Sequence, residues 1–175
     1  MRKAAEDKLN AAKRSDPDRY ACYLVSVLSP ECQFGVDVKS LAAVILRRNI
    51  SIQSADYSDL QDNTNNQNLY QRLSDSARDF IQNATIATLQ SLGEGDRQYR
   101  HKVCNLAVEI QGAMYENTDN NIWQNLLNLI FQFTQQQATY KIEMALQIFN
   151  GLFSYILDHL VKFKTELSGI FAQTL

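Results

Sequence analysis

The chain has only two prolines and six glycines in 175 residues. With so few breakers and little regular polar–apolar alternation, strand-rich folds and Pro- or Gly-rich linkers are disfavoured. Its three cysteines, Cys22, Cys32 and Cys104, are odd in number and show no paired CxxC spacing. That pattern argues against a disulfide framework and against a zinc site, and it fits a reducing compartment. An excess of charge is also missing, since 17 Lys and Arg against 19 Asp and Glu leave a net charge of −2. The chain as a whole has neither the basic footprint of a nucleic-acid binder nor a polybasic membrane patch. No run of about 18 uncharged apolar residues occurs, and the opening MRKAAEDKLNAAKR is too charged for a signal-peptide core. A chain that does not cross a membrane is the expectation. Gly-rich phosphate loops and catalytic-triad signatures are absent too, so neither enzymatic activity nor a cofactor is expected.

What is present is a core-forming, helix-rich sequence: hydrophobic residues make up 45% and charged residues 21%, with Leu, Ala, Gln and Lys recurring at helical spacing. Arg2 to about Lys13 reads as a short amphipathic helix with Ala5, Leu9 and Ala12 on one side. Asp16 is placed to cap the next helix and Pro17 suits its first turn. Tyr20, Leu24 and Leu28 then form its stripe, and Pro30 ends it. In the following helix Val38, Leu41, Ala42, Ile45 and Ile52 mark the buried side, and Arg47 and Arg48 fall near the C-terminal end.

Ser51 to Gln67 is dominated by Ser, Asp, Asn and Gln and reads as a long polar loop over about 53–67, with Tyr57 and Leu60 as its anchors. Helix resumes from Leu69 to Leu92, its stripe including Leu73, Ala77, Phe80, Ile81, Ala84 and Thr88, and Gly93 and Gly95 stop it. The stretch RHKVCNLAVEIQGAM, Arg100 to Met114, has two faces: Val103, Leu106, Ala107, Ile110 and Met114 on one, Lys102, Asn105 and Glu109, with Glu116 beyond, on the other. After a turn over Glu116 to Asn121, a helix to about Gln135 carries Trp123, Leu126, Leu127, Ile130 and Phe133 as core. A further helix, Tyr140 to about Leu157, groups Ile142, Ala145, Leu146, Phe149 and Phe153, and a last one begins near Asp158 and carries Leu160, Phe163, Leu167, Ile170 and Phe171.

Setting Val103 against Ile142, Leu106 against Ala145, Ala107 against Leu146 and Ile110 against Phe149 gives a shift of 39 residues, near the period of about 40 found in HEAT and armadillo-like repeats. The predicted fold is therefore all-α, an α-α superhelix: a HEAT-repeat solenoid of antiparallel helix pairs, 1–175 forming a single array of about four repeats. An unrelated helical bundle is the alternative on pattern alone. His101 and Cys104 lie three apart on one helix, but with Val103 and Leu106 beside them and no further ligand nearby, neither a nucleophile pair nor a metal site is expected.

Taken in order, RKAAEDKLN, LAAVILRRNI, RHKVCNLAVEI, NIWQNLLNLIF and ALQIFNGLF resemble the N-terminal HEAT repeats of the importin-β (karyopherin-β) family of nuclear transport receptors. The similarity is closest to the karyopherin β-3 branch. The family's first A helix has no counterpart ahead of Arg2 and the match ends at Leu175, so the chain looks like a fragment of a longer receptor. The resemblance implies a protein-binding role in nuclear import of protein cargo, with the GTP form of the small GTPase Ran bound on the inner, B-helix face. Carried over by position, that face comprises Lys39, Arg47, Arg48, Lys102, Asn105, Glu109, Glu116, Lys141 and Gln147. In the full-length receptor it further implies cargo and nucleoporins as partners and shuttling between cytoplasm and nucleus through the pore. A HEAT scaffold of a non-transport complex shares the fold without Ran. With neighbours missing at both ends, the Ala5/Leu9 helix and the Leu160 to Phe171 helix are expected to expose apolar surface and promote self-association.

Overall fold

In the computed structural model, which describes residues 2–51, 68–117 and 122–162, the capping signals of the sequence set the first boundaries. Helix α1 spans Arg2–Ser15, and Asp16 interrupts it. The Asp16 carboxylate accepts the Arg19 backbone N–H at 2.9 Å, and α2, Pro17–Leu28, starts on Pro17, whose lost N–H is one that a first turn leaves unpaired anyway. Helix α3 is Val36–Ile50. The predicted Leu69 to Leu92 helix is two: α4, Leu69–Arg72, and α5, Asp75–Ser91. Polar side chains that cap each helix divide it. Asn68 and Gln71 form a reciprocal capping box around α4, while the Ser74 hydroxyl accepts the Ala77 N–H and the Ser74 N–H donates to the Asp18 carboxylate at 2.9 Å. Helices α6, Arg97–Asn117, α7, Gln124–Thr134, and α8, Thr139–Lys162, complete the described residues. Helix α8 runs through Leu157 and Asp158 without the expected break. The predicted 53–67 loop and the chain after 162 lie outside the described residues.

The helices pack as hairpins, α2 with α3, α5 with α6 and α7 with α8, and the hairpins stack side by side. Stacking puts α2, α5 and α7 in one row and α3, α6 and α8 in a second, the arrangement of a helical repeat array. The core lies between the rows. From α3 it takes Ala42, Ala43, Leu46 and Ile50, from α6 Leu106, Ala107, Ile110 and Met114, and from α8 Met144, Ala145, Ile148 and Leu152. These fours are equivalent. The second and third are 38 residues apart, one fewer than the sequence alignment proposed, and the first and second are 64 apart. The longer step holds α4 and the residues before it.

That one-residue difference explains several misplaced side chains. On α8, Leu146 is 60% exposed and Phe149 and Phe153 also face outward, although all three were expected in the core. On α3, Val38 and Leu41 are exposed and Ile45 is only partly covered. In VDVKSLAAVILRRNI apolar residues surround the helix, and the buried side includes the small Ala42 and Ala43, which weigh little in a hydrophobic pattern. Phe80 of α5 is likewise exposed. Expected exposure on α1 is seen at Leu9.

A buried hydroxyl ties two hairpins together. Tyr99 of α6 donates to the Leu28 carbonyl at the end of α2, 2.9 Å away, and burial, with Cys32 and Asp96 nearby, pushes its phenol up to about 12. Tyr99→Phe is expected to cost about 1–2 kcal/mol, because the Leu28 carbonyl loses its donor. The folded-state value is raised above the unfolded one of about 10. The stabilisation is therefore complete below pH 10 and is lost as pH rises through about 12. Urea titrations of both proteins should show the gap between them closing over that window.

Candidate protein-interaction site

Helix α6 is the middle member of the second row, and polar partners fix which way it faces. Gln111, buried, accepts the Trp123 backbone N–H at 2.7 Å as the chain enters α7. Arg100, 5% exposed, donates from Nη1 to the Gly93 carbonyl at 2.8 Å and to the Glu94 carbonyl, closing the turn after α5. Its guanidinium lies over the Tyr140 ring, 5.4 Å from the centroid. Arg100, Cys104, Ala107 and Gln111 therefore face the α5 and α7 row. On a 3.6-residue period Lys102, Glu109 and Glu116 come out on the opposite, open side. Lys102, Asn105 and Glu109 are half-buried and Glu116 is exposed.

Of the nine residues expected on the inner face, the structure brings Lys102, Asn105, Glu109, Glu116 and Gln147 together. The Gln147 amide reaches from α8 to α6, donating to the Asn105 side-chain oxygen at 2.8 Å and to the His101 carbonyl at 3.0 Å. Glu109 and Glu116 flank Tyr155 of α8, whose phenol is raised by burial and then by these two carboxylates. Gly112, between them in sequence, lets that ring approach: a Cβ there would sit 2.7 Å from the Tyr155 ring. Arg47, half-buried, and Arg48, exposed, occupy the last turn of α3, where cations also suit the helix dipole.

Two lysines do not belong to this face. Lys141 is 5% exposed. Its ammonium donates to the Gln90 carbonyl at 2.9 Å and to the Leu89 carbonyl at 3.3 Å and lies 4.5 Å from the Phe133 ring centroid. It caps the open carbonyls at the end of α5, and burial, reinforced by Arg100, lowers its pKa against the opposing pull of Cys104. Lys39, at the equivalent position of α3, donates to the Ser29 carbonyl just past α2 at 2.8 Å. Both lysines turn toward the first row because their positions match the buried Val103 of α6. An apolar environment at a lysine position leaves no mark in the sequence; only the correct 38-residue register would have shown it.

Sequence reasoning also missed a groove. Where the first turns of α6 pass α8, a depression of about 570 Å³ is lined by Arg97, His101 and Lys102 on one wall and by Glu143, Leu146 and Gln147 on the other, over Met144. The His101 and Cys104 pair has no shared chemistry. Cys104 is fully buried, with its thiol pushed up to about 12 by desolvation, whereas His101 is exposed. A thiol held in that state is not a nucleophile at neutral pH. Among the described residues no cluster of three His, Cys, Asp or Glu is arranged to hold a metal ion, and no helix is long and apolar enough to cross a membrane.

No curated protein and no solved structure matches the chain. Residues 95–175, from the turn ahead of α6 onward, match the family model described as IPO5-like, TPR repeats, which supports an importin-β-like helical repeat region beginning at the helix that carries the polar open face.

Proposed function

We propose that the chain is the N-terminal HEAT region of an importin-β-type receptor of the karyopherin β-3 branch, acting in nuclear import of protein cargo, and that the open side of the α3, α6 and α8 row binds Ran in its GTP form. The observation that carries this reading is the coincidence of two features on α6: the family match begins at this helix, and its outward side presents Lys102, Asn105, Glu109 and Glu116. The contact set is these four with Gln147, and with the exposed Arg48 of α3 at its edge; Arg47, in register with Gln111, turns toward the first row. The role is binding without catalysis. Both signs of charge on one helix face suit charge-assisted hydrogen bonds to a polar switch surface. Dependence on GTP then comes from the shape of the switches in that state. Cargo and nucleoporins are engaged by the full-length receptor as it shuttles between cytoplasm and nucleus.

A pull-down with the GTPase loaded with GTP or GDP tests the reading, and capture of the GTP form alone is expected. Lys102→Glu together with Glu109→Lys should weaken capture by about tenfold or more while the circular dichroism spectrum stays unchanged, because neither side chain is in the core. Equal capture of both nucleotide forms, or of neither, refutes the Ran assignment. Capture undiminished by the double reversal refutes the face.

A further inference from the structure

The groove at the start of α6 has a chemical character that the chain as a whole lacks. Arg97 and Lys102 stand on one wall with no carboxylate of the described residues within ion-pair reach, in a chain whose net charge is −2. Arg100 adds a third cation beneath them, its guanidinium taken up by carbonyls that leave the positive charge uncancelled. The first turn of a 21-residue helix also opens here, so unpaired N–H groups reinforce the field. Against this stands a single lining carboxylate, Glu143; Glu94 and Asp96 precede the helix but do not line the groove. The apolar part of the lining is Met144 and Leu146. Met144 is buried at the base and Leu146, 60% exposed, projects beside it. His101 and Gln147 supply polar edges, and the Gln147 amide is already held by Asn105, which keeps the far wall in place.

We propose that this groove binds an acidic linear segment of a partner protein, seating one apolar side chain on Met144 and Leu146 while flanking carboxylates meet Arg97 and Lys102. Charge selects the occupant. A basic segment would bring its cations against Arg97, Lys102 and Arg100, and a purely apolar helix would leave Arg97 and Lys102 desolvated without partners. A depression of about 570 Å³ suits a short extended segment better than a folded domain. The site overlaps the proposed GTPase face only at Lys102 and Gln147, and its occupant does not depend on that assignment.

The test is fluorescence anisotropy with a labelled peptide carrying Asp and Glu on both sides of a single phenylalanine, against a lysine counterpart and a counterpart with serine for phenylalanine. Saturable binding of the acidic peptide is expected, weakening as salt is raised, with the lysine peptide not bound and the serine peptide bound less tightly. Arg97→Glu should reduce affinity about tenfold or more, and Leu146→Ser should remove the preference for phenylalanine over serine. Both residues are exposed and outside the proposed GTPase contacts, so the variants fold and their effect is separable from capture of Ran. Equal binding of acidic and lysine peptides, absence of binding, or affinity unchanged in Arg97→Glu overturns the proposal.

Discussion

Arg100→Met is expected to lower the free energy of unfolding by about 2–4 kcal/mol, read as a shift of the urea midpoint. The side chain is 5% exposed. It holds the carbonyls of Gly93 and Glu94 at the point where α5 gives way to α6, and no other side-chain donor serves them among the described residues. Methionine keeps much of the aliphatic packing, so the loss isolates the guanidinium: two carbonyls without a donor and the Tyr140 ring without its cation. Three positions earlier, Arg97→Met should change stability by no more than about 0.5 kcal/mol, since Arg97 is exposed. Equal effects at the two positions would show that burial of Arg100 contributes nothing.

The second large effect is expected at Gly151, where α8 crosses α6. A Cβ at this position would lie 2.7 Å and 3.0 Å from the two methyl carbons of Val108, closer than packed atoms come. Alanine within a helix is ordinarily favoured over glycine by about 1 kcal/mol, so Gly151→Ala on an open surface would stabilise. Here it should destabilise by about 1–3 kcal/mol, because valine on a helix has little rotamer freedom and the helices must separate. Val108→Ala in the same chain should recover most of the loss, and a double-mutant cycle from thermal or urea unfolding measures that coupling. Gly112→Ala is the milder case. Its Cβ would meet the tip of the Tyr155 ring, which swings aside more easily than a Val backbone-proximal methyl.

The helical class and most boundaries were legible because local chemistry sets them: Asp16 with Pro17, and the glycines after Leu92, act within a few residues of themselves. The division at Leu73 was legible in principle from Asn68, Gln71 and Ser74, but a continuous apolar stripe obscured it. On α6 the faces came out correctly because polar and apolar residues segregate there. On α3 and α8 they did not, since apolar residues occur all round and the buried side, which includes Ala43 and Ala145, is chosen by neighbours distant in sequence. The candidate face followed the same division. Lys102, Asn105, Glu109 and Glu116 lie on the open side of α6, whereas Lys39 and Lys141 turn toward the first row, because a lysine that caps a distant helix end looks in sequence like any exposed lysine. The groove needs Arg97 of one helix beside Leu146 of another, a juxtaposition that no local pattern encodes.

The buried polar reaches between hairpins also bear on how the array comes apart. Tyr99 reaches from the second hairpin to the end of α2 in the first, and Lys141 from the third to the end of α5 in the second. Removing one hairpin therefore strips its predecessor of apolar cover and also leaves helix-end carbonyls without donors. In a linear array whose stability is a sum of unit and neighbour terms, this loads the weight onto the neighbour terms. Fraying from one end is then costly at every step, and the hairpins should melt in a single cooperative transition. A piece cut after α3 or after α6 would not inherit a proportional share of the stability of the whole.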